Sequence, residues 1–179
     1  MTYTLFNGRP ESCEGRLEKE IKTYDLLDSL GIEYQRVDHG EMPTIESCKE
    51  VDEALGVHIC KNLLLSNRQK TDFYLVLMPG DKKFVTKELS AQLGTARLSF
   101  ADGKYMEEFL NITPGSLSVF GLMNDTDNRV RLIIDRDIVN EPMFAAHPCI
   151  NTSSLKVKFS DITEKFLPAV KHDYTVVDL

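Results

Sequence analysis

Residues 58–80 read HICKNLLLSNRQKTDFYLVLMPG, and this stretch decides the fold. Two apolar runs, HICKNLLLS and FYLVLMPG, are short and rich in branched and aromatic side chains, as buried strands are. The polar link NRQKTD between them predicts a hairpin loop. Toward the N-terminus, Leu17, Ile21, Tyr24, Leu27 and Leu30 recur at helical spacing over 16–30, and Gly31 follows as a stop. A strand is expected over 32–37. A second helix then opens after Pro43, with Thr44 as N-cap and Glu46 in its first turn, and ends near Gly56.

Toward the C-terminus the pattern predicts a helix over 83–93 stopped by Gly94 and a short strand over 97–100. A helix over 104–110 capped by Asp102 comes next. PGSLSVFGLMN, RVRLIID, EPMFAAHPC and SSLKVKFS then alternate strand-like runs with turn residues. A short helix over 161–166 and a last strand over 174–177 complete the chain. Strands dominate the middle and the end. The expected class is therefore α+β, a mixed, largely antiparallel sheet with flanking helices, rather than repeated βαβ units. With no repeat and no Pro/Gly/Ser linker, one domain over residues 1–179 is expected, its first fifteen or so residues a loosely ordered extension.

The 179 residues are 42% apolar and 27% charged, an ordinary composition for a soluble globular protein. No run approaches the roughly 20 apolar residues of a membrane span, and the first twenty residues lack a secretory pattern. A cytoplasmic protein with no membrane partner is expected. The four cysteines show no C-x-x-C pair and read as reduced thiols. No G-x-G-x-x-G or P-loop signature occurs, which disfavours nucleotide-cofactor chemistry, and no cofactor is expected. The net charge is -7, but residues 61–104 hold eight basic and four acidic side chains. That stretch thus carries +4 on an otherwise acidic body. A local basic face suits one specific nucleic acid; a solvated charged surface is the alternative reading. Its candidate contacts are Arg68, Lys70, Lys82, Lys83 and Arg97.

Three features could carry chemistry. Lys61 interrupts an apolar strand and shares the face of Leu63 and Leu65. Its ammonium either snorkels to solvent or sits in a pocket, where it can hold an anion or polarise a carbonyl. His147 ends an apolar run, Pro148 fixes the turn after it, and Asn151, Thr152 and Ser153 follow. It either exchanges protons with a substrate or merely satisfies turn carbonyls. In the segment Pro114–Gly121, glycines at both ends permit positive φ and close backbone approach. On a strand, Ser116, Ser118 and Phe120 would share one face and could line a small pocket, or the segment is an ordinary strand. Two H-x-C pairs, His58-x-Cys60 and His147-x-Cys149, make a zinc site conceivable, but structural zinc sites show tighter cysteine spacing and no metal is expected. A nucleophilic pair of Cys60 with His147 remains open.

CKNLLL, RLSF, PGSLSVFGL and AHPCINTSS occur in the order and spacing of the YbaK/prolyl-tRNA-synthetase-associated domain family, which the chain resembles from about Thr23 to Leu179. Within that family it most resembles the free-standing alanyl-tRNA(Pro) editing proteins. The resemblance implies deacylation of mischarged tRNA in trans, on the aminoacylated acceptor end, with prolyl-tRNA synthetase or an elongation factor as a further partner. It implies that Lys61 is the key lysine with Asn62 beside it. It also implies that His147, Pro148 and Asn151 form an H-P-x-x-N motif, and that Gly115, Ser116, Leu117, Ser118 and Phe120 form the pocket strip. A neighbouring ribose hydroxyl would assist, so that no protein nucleophile is needed. Val119 stands where such proteins often have Pro, and Ala146 where they often have Phe. Both bear on the amino acid removed, alanine or cysteine, more than on the reaction. A non-catalytic tRNA- or synthetase-binding module is the alternative from another class.

Overall fold

The computed structural model describes residues 2–42 and 46–179. Two sheets, rather than one, face each other across a central core. The first is antiparallel, in the order β1 (Phe6–Asn7), β2 (Tyr34–Asp38), β8 (Ser153–Lys158), β7 (Met143–Ala146). The second is mixed, in the order β5 (Ser99–Phe100), β3 (Lys61–Ser66), β4 (Phe73–Met78), β6 (Val130–Asp135), β9 (Tyr174–Val177). The expected hairpin is present: β3 and β4 are antiparallel, with Lys61 opposite Met78 and Ser66 opposite Phe73. β6 lies parallel to both β4 and β9.

Alternation along the hairpin sorts side chains between two apolar layers. Cys60, Leu64, Leu75 and Leu77 face the central core together with Tyr34, Phe144, Leu155 and Val157 of the other sheet. Leu65, Tyr74 and Val76 face the opposite way, against Leu89 of helix α3 (Thr86–Leu93). On the outer side of the first sheet, Val37 and Ala145 pack against Val51 and Leu55 of helix α2 (Lys49–Leu55). The expected Thr44 cap and Pro43 fall outside the described residues, and so does the Glu46 side chain.

Helix α1 (Glu18–Ser29) forms where the spacing predicts it, but its buried face is turned. Leu17 is 57% exposed, whereas Glu20 and Thr23 are buried beside Tyr24 and Leu27. Glu20 tolerates this because it accepts from the Tyr24 hydroxyl at 2.7 Å and pairs with Arg16 at 2.6 Å. Helix α4 (Gly103–Leu110) starts after Asp102, although that side chain makes no capping bond. A short helix α5 (Arg136–Val139) follows β6. The expected helix over 161–166 is the middle of a longer one: α6 (Phe159–Asp161), a π turn (Ile162–Phe166) and α7 (Leu167–Ala169) run on without a break.

The N-terminal segment is tied to the fold. β1 pairs with β2, the Gly8 amide donates to the Tyr34 carbonyl at 2.8 Å, and Arg9 reaches Asp25 at 2.8 Å.

The largest departure from the sequence reading is at PGSLSVFGLMN. It forms a loop and a 3-10 helix, Val119–Asn124, instead of a strand. Ser118 caps that helix, its hydroxyl accepting from the Phe120 amide at 3.2 Å. Ser116, Ser118 and Phe120 therefore do not share a strand face. Phe120 packs edge-to-face on Phe166, ring centres 5.3 Å apart, inside the central core.

Candidate active site

Four segments meet around the turn that follows β7. Ala145 is the first contact. The Cys60 thiol lies 4.0 Å from its carbonyl, which brings the start of β3 beside the end of β7. Asp52 of α2 accepts from the Ile59 amide at 3.0 Å and so sets the direction in which the chain enters β3. Asn62 turns back on the same corner, its amide donating to the Cys60 carbonyl at 3.1 Å.

His147 is only 7% exposed. Its Nδ1 lies 2.8 Å from the Ser153 carbonyl oxygen, which can only accept, so Nδ1 carries the hydrogen and the neutral ring keeps its lone pair on Nε2. Burial, and to a smaller degree the nearby His39 ring, hold His147 below its ordinary pKa, against the opposing hydrogen bond to Ser153. His39 is a neighbour the sequence reading did not single out. Its Nδ1 donates to the Gly40 carbonyl at 2.7 Å, so its Nε2 accepts from the Ser154 hydroxyl at 2.8 Å. The Ser154 oxygen in turn lies 3.3 Å from His147 Nδ1. The two rings, 5.9 Å apart, are thus bridged by one hydroxyl. Only the position of His39 at a strand end, followed by glycine, hinted at this in the sequence.

Asn151 clamps the segment after β2: it accepts from the Met42 amide at 3.2 Å and donates to the Met42 carbonyl at 3.4 Å. On its other side stands Gly115, with φ +92°, where an added Cβ would come within 3.4 Å of the Asn151 amide nitrogen. The H-P-x-x-N turn is therefore sandwiched between residues 39–42 and the Gly115 loop. Within the turn Cys149 adopts φ 63°, a strained value for a side chain with a Cβ. A hollow of about 340 Å³ beside the turn is lined by Arg16, Leu17, Asp38, Ile150 and Thr152, among others, and not by Lys61 or His147.

Lys61 lies on the face expected of it, with Leu63 and Leu65, and is half-buried. Its ammonium donates to the Lys82 carbonyl at 2.6 Å. The Lys61 side chain thus reaches the segment between β4 and α3, while His147 follows Ala146 into the turn after β7. Their backbones are joined through the Cys60–Ala145 contact, but no described hydrogen bond links the two side chains.

Of the basic candidates, Arg68, Lys83 and Arg97 are exposed and Lys70 is half-buried. Lys82 is committed inside the fold: its ammonium meets Asp135 at 3.0 Å, Asp137 at 2.7 Å and the Leu179 carbonyl at 2.8 Å.

The cysteines are disposed differently from a metal cage. Cys149 accepts from Thr23 at 3.6 Å, Cys60 faces Ala145, and His58 projects outward, 95% exposed, beside Asp52. Burial pushes the Cys60 thiol up to about 12, which leaves it protonated near neutrality and unsuited to act as a thiolate nucleophile.

A sequence model of the aminoacyl-tRNA editing domain matches residues 39–165. The prolyl-tRNA editing protein ProX of Acetoanaerobium sticklandii is 31% identical over 153 residues, covering 86% of this chain and 93% of that one. The prolyl-tRNA synthetase associated domain-containing protein 1 of Danio rerio is 27% identical, covering 87% and 84%. A solved structure named provisionally as a trans-editing enzyme for prolyl tRNA synthetase superposes with a TM-score of 0.65 over 91% of this chain and 97% of its own. At 16% identity, this likeness concerns the fold.

Proposed function

Because this chain belongs to the aminoacyl-tRNA editing domain family, we propose that it hydrolyses the ester of mischarged tRNA in trans, and that its substrate is alanyl-tRNA(Pro). Residues 1–179 act as one editing domain. The observation that carries the reading is His147. It is buried, held below its ordinary pKa, and bound to the Ser153 carbonyl so that its Nε2 is a proton acceptor at neutral pH.

The need for such an activity follows from binding arithmetic. A synthetase pocket shaped for proline cannot exclude alanine by size, and each missing methylene is worth only roughly 1–3 kcal/mol of discrimination. A second pocket that admits the smaller amino acid and rejects proline removes the error.

In the reaction a water oxygen attacks the acyl carbon, the ester C–O bond breaks, and the ribose oxygen leaves with a proton. His147 Nε2 accepts a hydrogen bond from the water or the neighbouring ribose hydroxyl. Lys61 exchanges the Lys82 carbonyl for the ester oxygen and stabilises its developing charge. Its flexible four-carbon stem and three donors suit that exchange. Asn62, Asn151, Gly115, Ser116, Leu117 and Pro148 shape the aminoacyl pocket, with Ser118 and Phe120 supporting it from behind. Arg68, Lys70, Lys83 and Arg97 meet acceptor-stem phosphates.

The test compares purified protein on alanyl-, cysteinyl- and prolyl-tRNA(Pro). Release of alanine ahead of cysteine, with prolyl-tRNA spared, is the expected result. Faster release of cysteine would reassign the substrate. Binding of all three without release would make the chain a non-catalytic module.

A further inference from the structure

Phe100 is the most exposed large apolar side chain among the described residues, at 60%. It lies on β5, the edge strand of the mixed sheet, and is paired with Leu65. Alternation therefore puts it on the same sheet face as Leu65, Leu63 and Lys61. Phe84, partly buried, meets it edge-to-face with ring centres 5.8 Å apart at 61°. One exposed phenylalanine needs no explanation. Here two rings support each other at a sheet edge. Exposed Lys83 and Lys87 lie close to Phe84 in the chain, and exposed Arg97 lies close to Phe100. This is also the stretch where an acidic protein concentrates its positive charge.

We propose that Phe84 and Phe100 form a stacking platform for the unpaired bases of a single-stranded RNA 3′ end, whose phosphates lie against Lys83, Lys87 and Arg97. Aromatic faces stack bases with little regard to sequence, and flanking cations track the backbone. The platform lies about 13 Å along β3 from Lys61, at the rise of four strand residues. That distance suits the nucleotides preceding an aminoacylated terminus held at Lys61. A protein partner anchored on the same rings would not call for the local excess of lysine and arginine. The inference rests on the editing reading for the identity of the RNA, and the experiment separates the two.

The chain contains no tryptophan, so F100W introduces a single indole that retains a stacking face. Short single-stranded RNA ending in CCA should quench its fluorescence saturably, and salt should reverse the quenching. In parallel, F100S should lower kcat/KM on mischarged tRNA about 5- to 100-fold, through KM. The same variant should leave hydrolysis of the bare aminoacyl ester of adenosine unchanged. Because Phe100 is exposed, F100S should keep the wild-type melting temperature. Absence of quenching, or an unchanged KM for tRNA in F100S, overturns the platform while leaving the editing reading intact. A wild-type protein that cleaves no mischarged tRNA overturns the editing reading, and the quenching measurement still decides the platform.

Discussion

The turn 147–154 and the strip 83–100 differ in how much of their functional side chains they show to solvent. In the turn, His147 is 7% exposed, and its hydrogen bonds and those of Asn151 hold three segments together, the Asn151–Met42 pair bridging 109 positions of sequence. In the strip, Phe100 is 60% exposed and Arg97, Lys83 and Lys87 point at solvent. The first region has its geometry set before any substrate arrives, as chemistry requires; the second has surface to offer, as binding a long polyanion requires. Lys61 belongs to both, since its backbone starts at the Cys60–Ala145 corner and its ammonium reaches the carbonyl that precedes the strip.

That shared position makes Lys61 the sharpest place to break the contrast. Lys61→Ala should reduce deacylation at least about 100-fold, the scale of losing one oxyanion donor. Removing a single half-buried hydrogen bond should change stability by only about 1 kcal/mol. Undiminished turnover in a single-turnover assay would detach Lys61 from the chemistry altogether.

Next in size is Gly121→Ala, behind the site. An added Cβ would stand 2.5 Å from Ile112 Cδ1 and 3.2 Å from the Leu110 carbonyl oxygen, so about 1–3 kcal/mol of stability should be lost in urea unfolding. Gly115→Ala should cost less stability, about 1 kcal/mol for the φ of +92°, and should lower activity more than Gly121→Ala does, because the backbone strain falls on the loop in contact with Asn151. Equal activity in the two variants would show that the Gly115 loop does not shape the pocket.

The smallest effect concerns pH. Burial holds both His39 and His147 below the ordinary 6.5, so the unfolded chain takes up protons there before the folded one does. Stability contributed by the neutral rings is intact above about 6.5 and is lost as pH falls below it. His39→Gln removes one of the two groups. Its melting temperature should therefore decline less steeply than the wild type's between about pH 7 and pH 5.5. An equal slope would mean that His39 is not held neutral by the fold.

The contrast also explains what could be read ahead of the structure. β3, β4 and their hairpin were legible because two short apolar runs, rich in branched and aromatic side chains, flank a polar link of hairpin length. The Gly115 and Gly121 readings held because each glycine answers a local demand, positive φ at one and close approach at the other. The Ser116–Phe120 strip was misread as a strand, because a Ser-capped 3-10 turn and a short strand present the same alternation over so few residues. The α1 stripe was read a fraction of a turn out, since Glu20 is buried by virtue of Arg16 and Tyr24 rather than its own polarity. His39 went unnoticed because the hydroxyl that bridges it to His147 belongs to Ser154, 115 positions away.

By itself, then, the sequence determined the class of fold, most element positions and the family, because periodicity, turn chemistry and ordered motifs are properties of neighbouring residues. Only the tertiary structure decided that there are two sheets, which face each side chain takes, that Lys82 is tied to Asp135 and Asp137, and that His147 keeps its proton on Nδ1. Those outcomes depend on partners distant in the chain. Burial and hydrogen bonding act through space and leave no period in the sequence to be read.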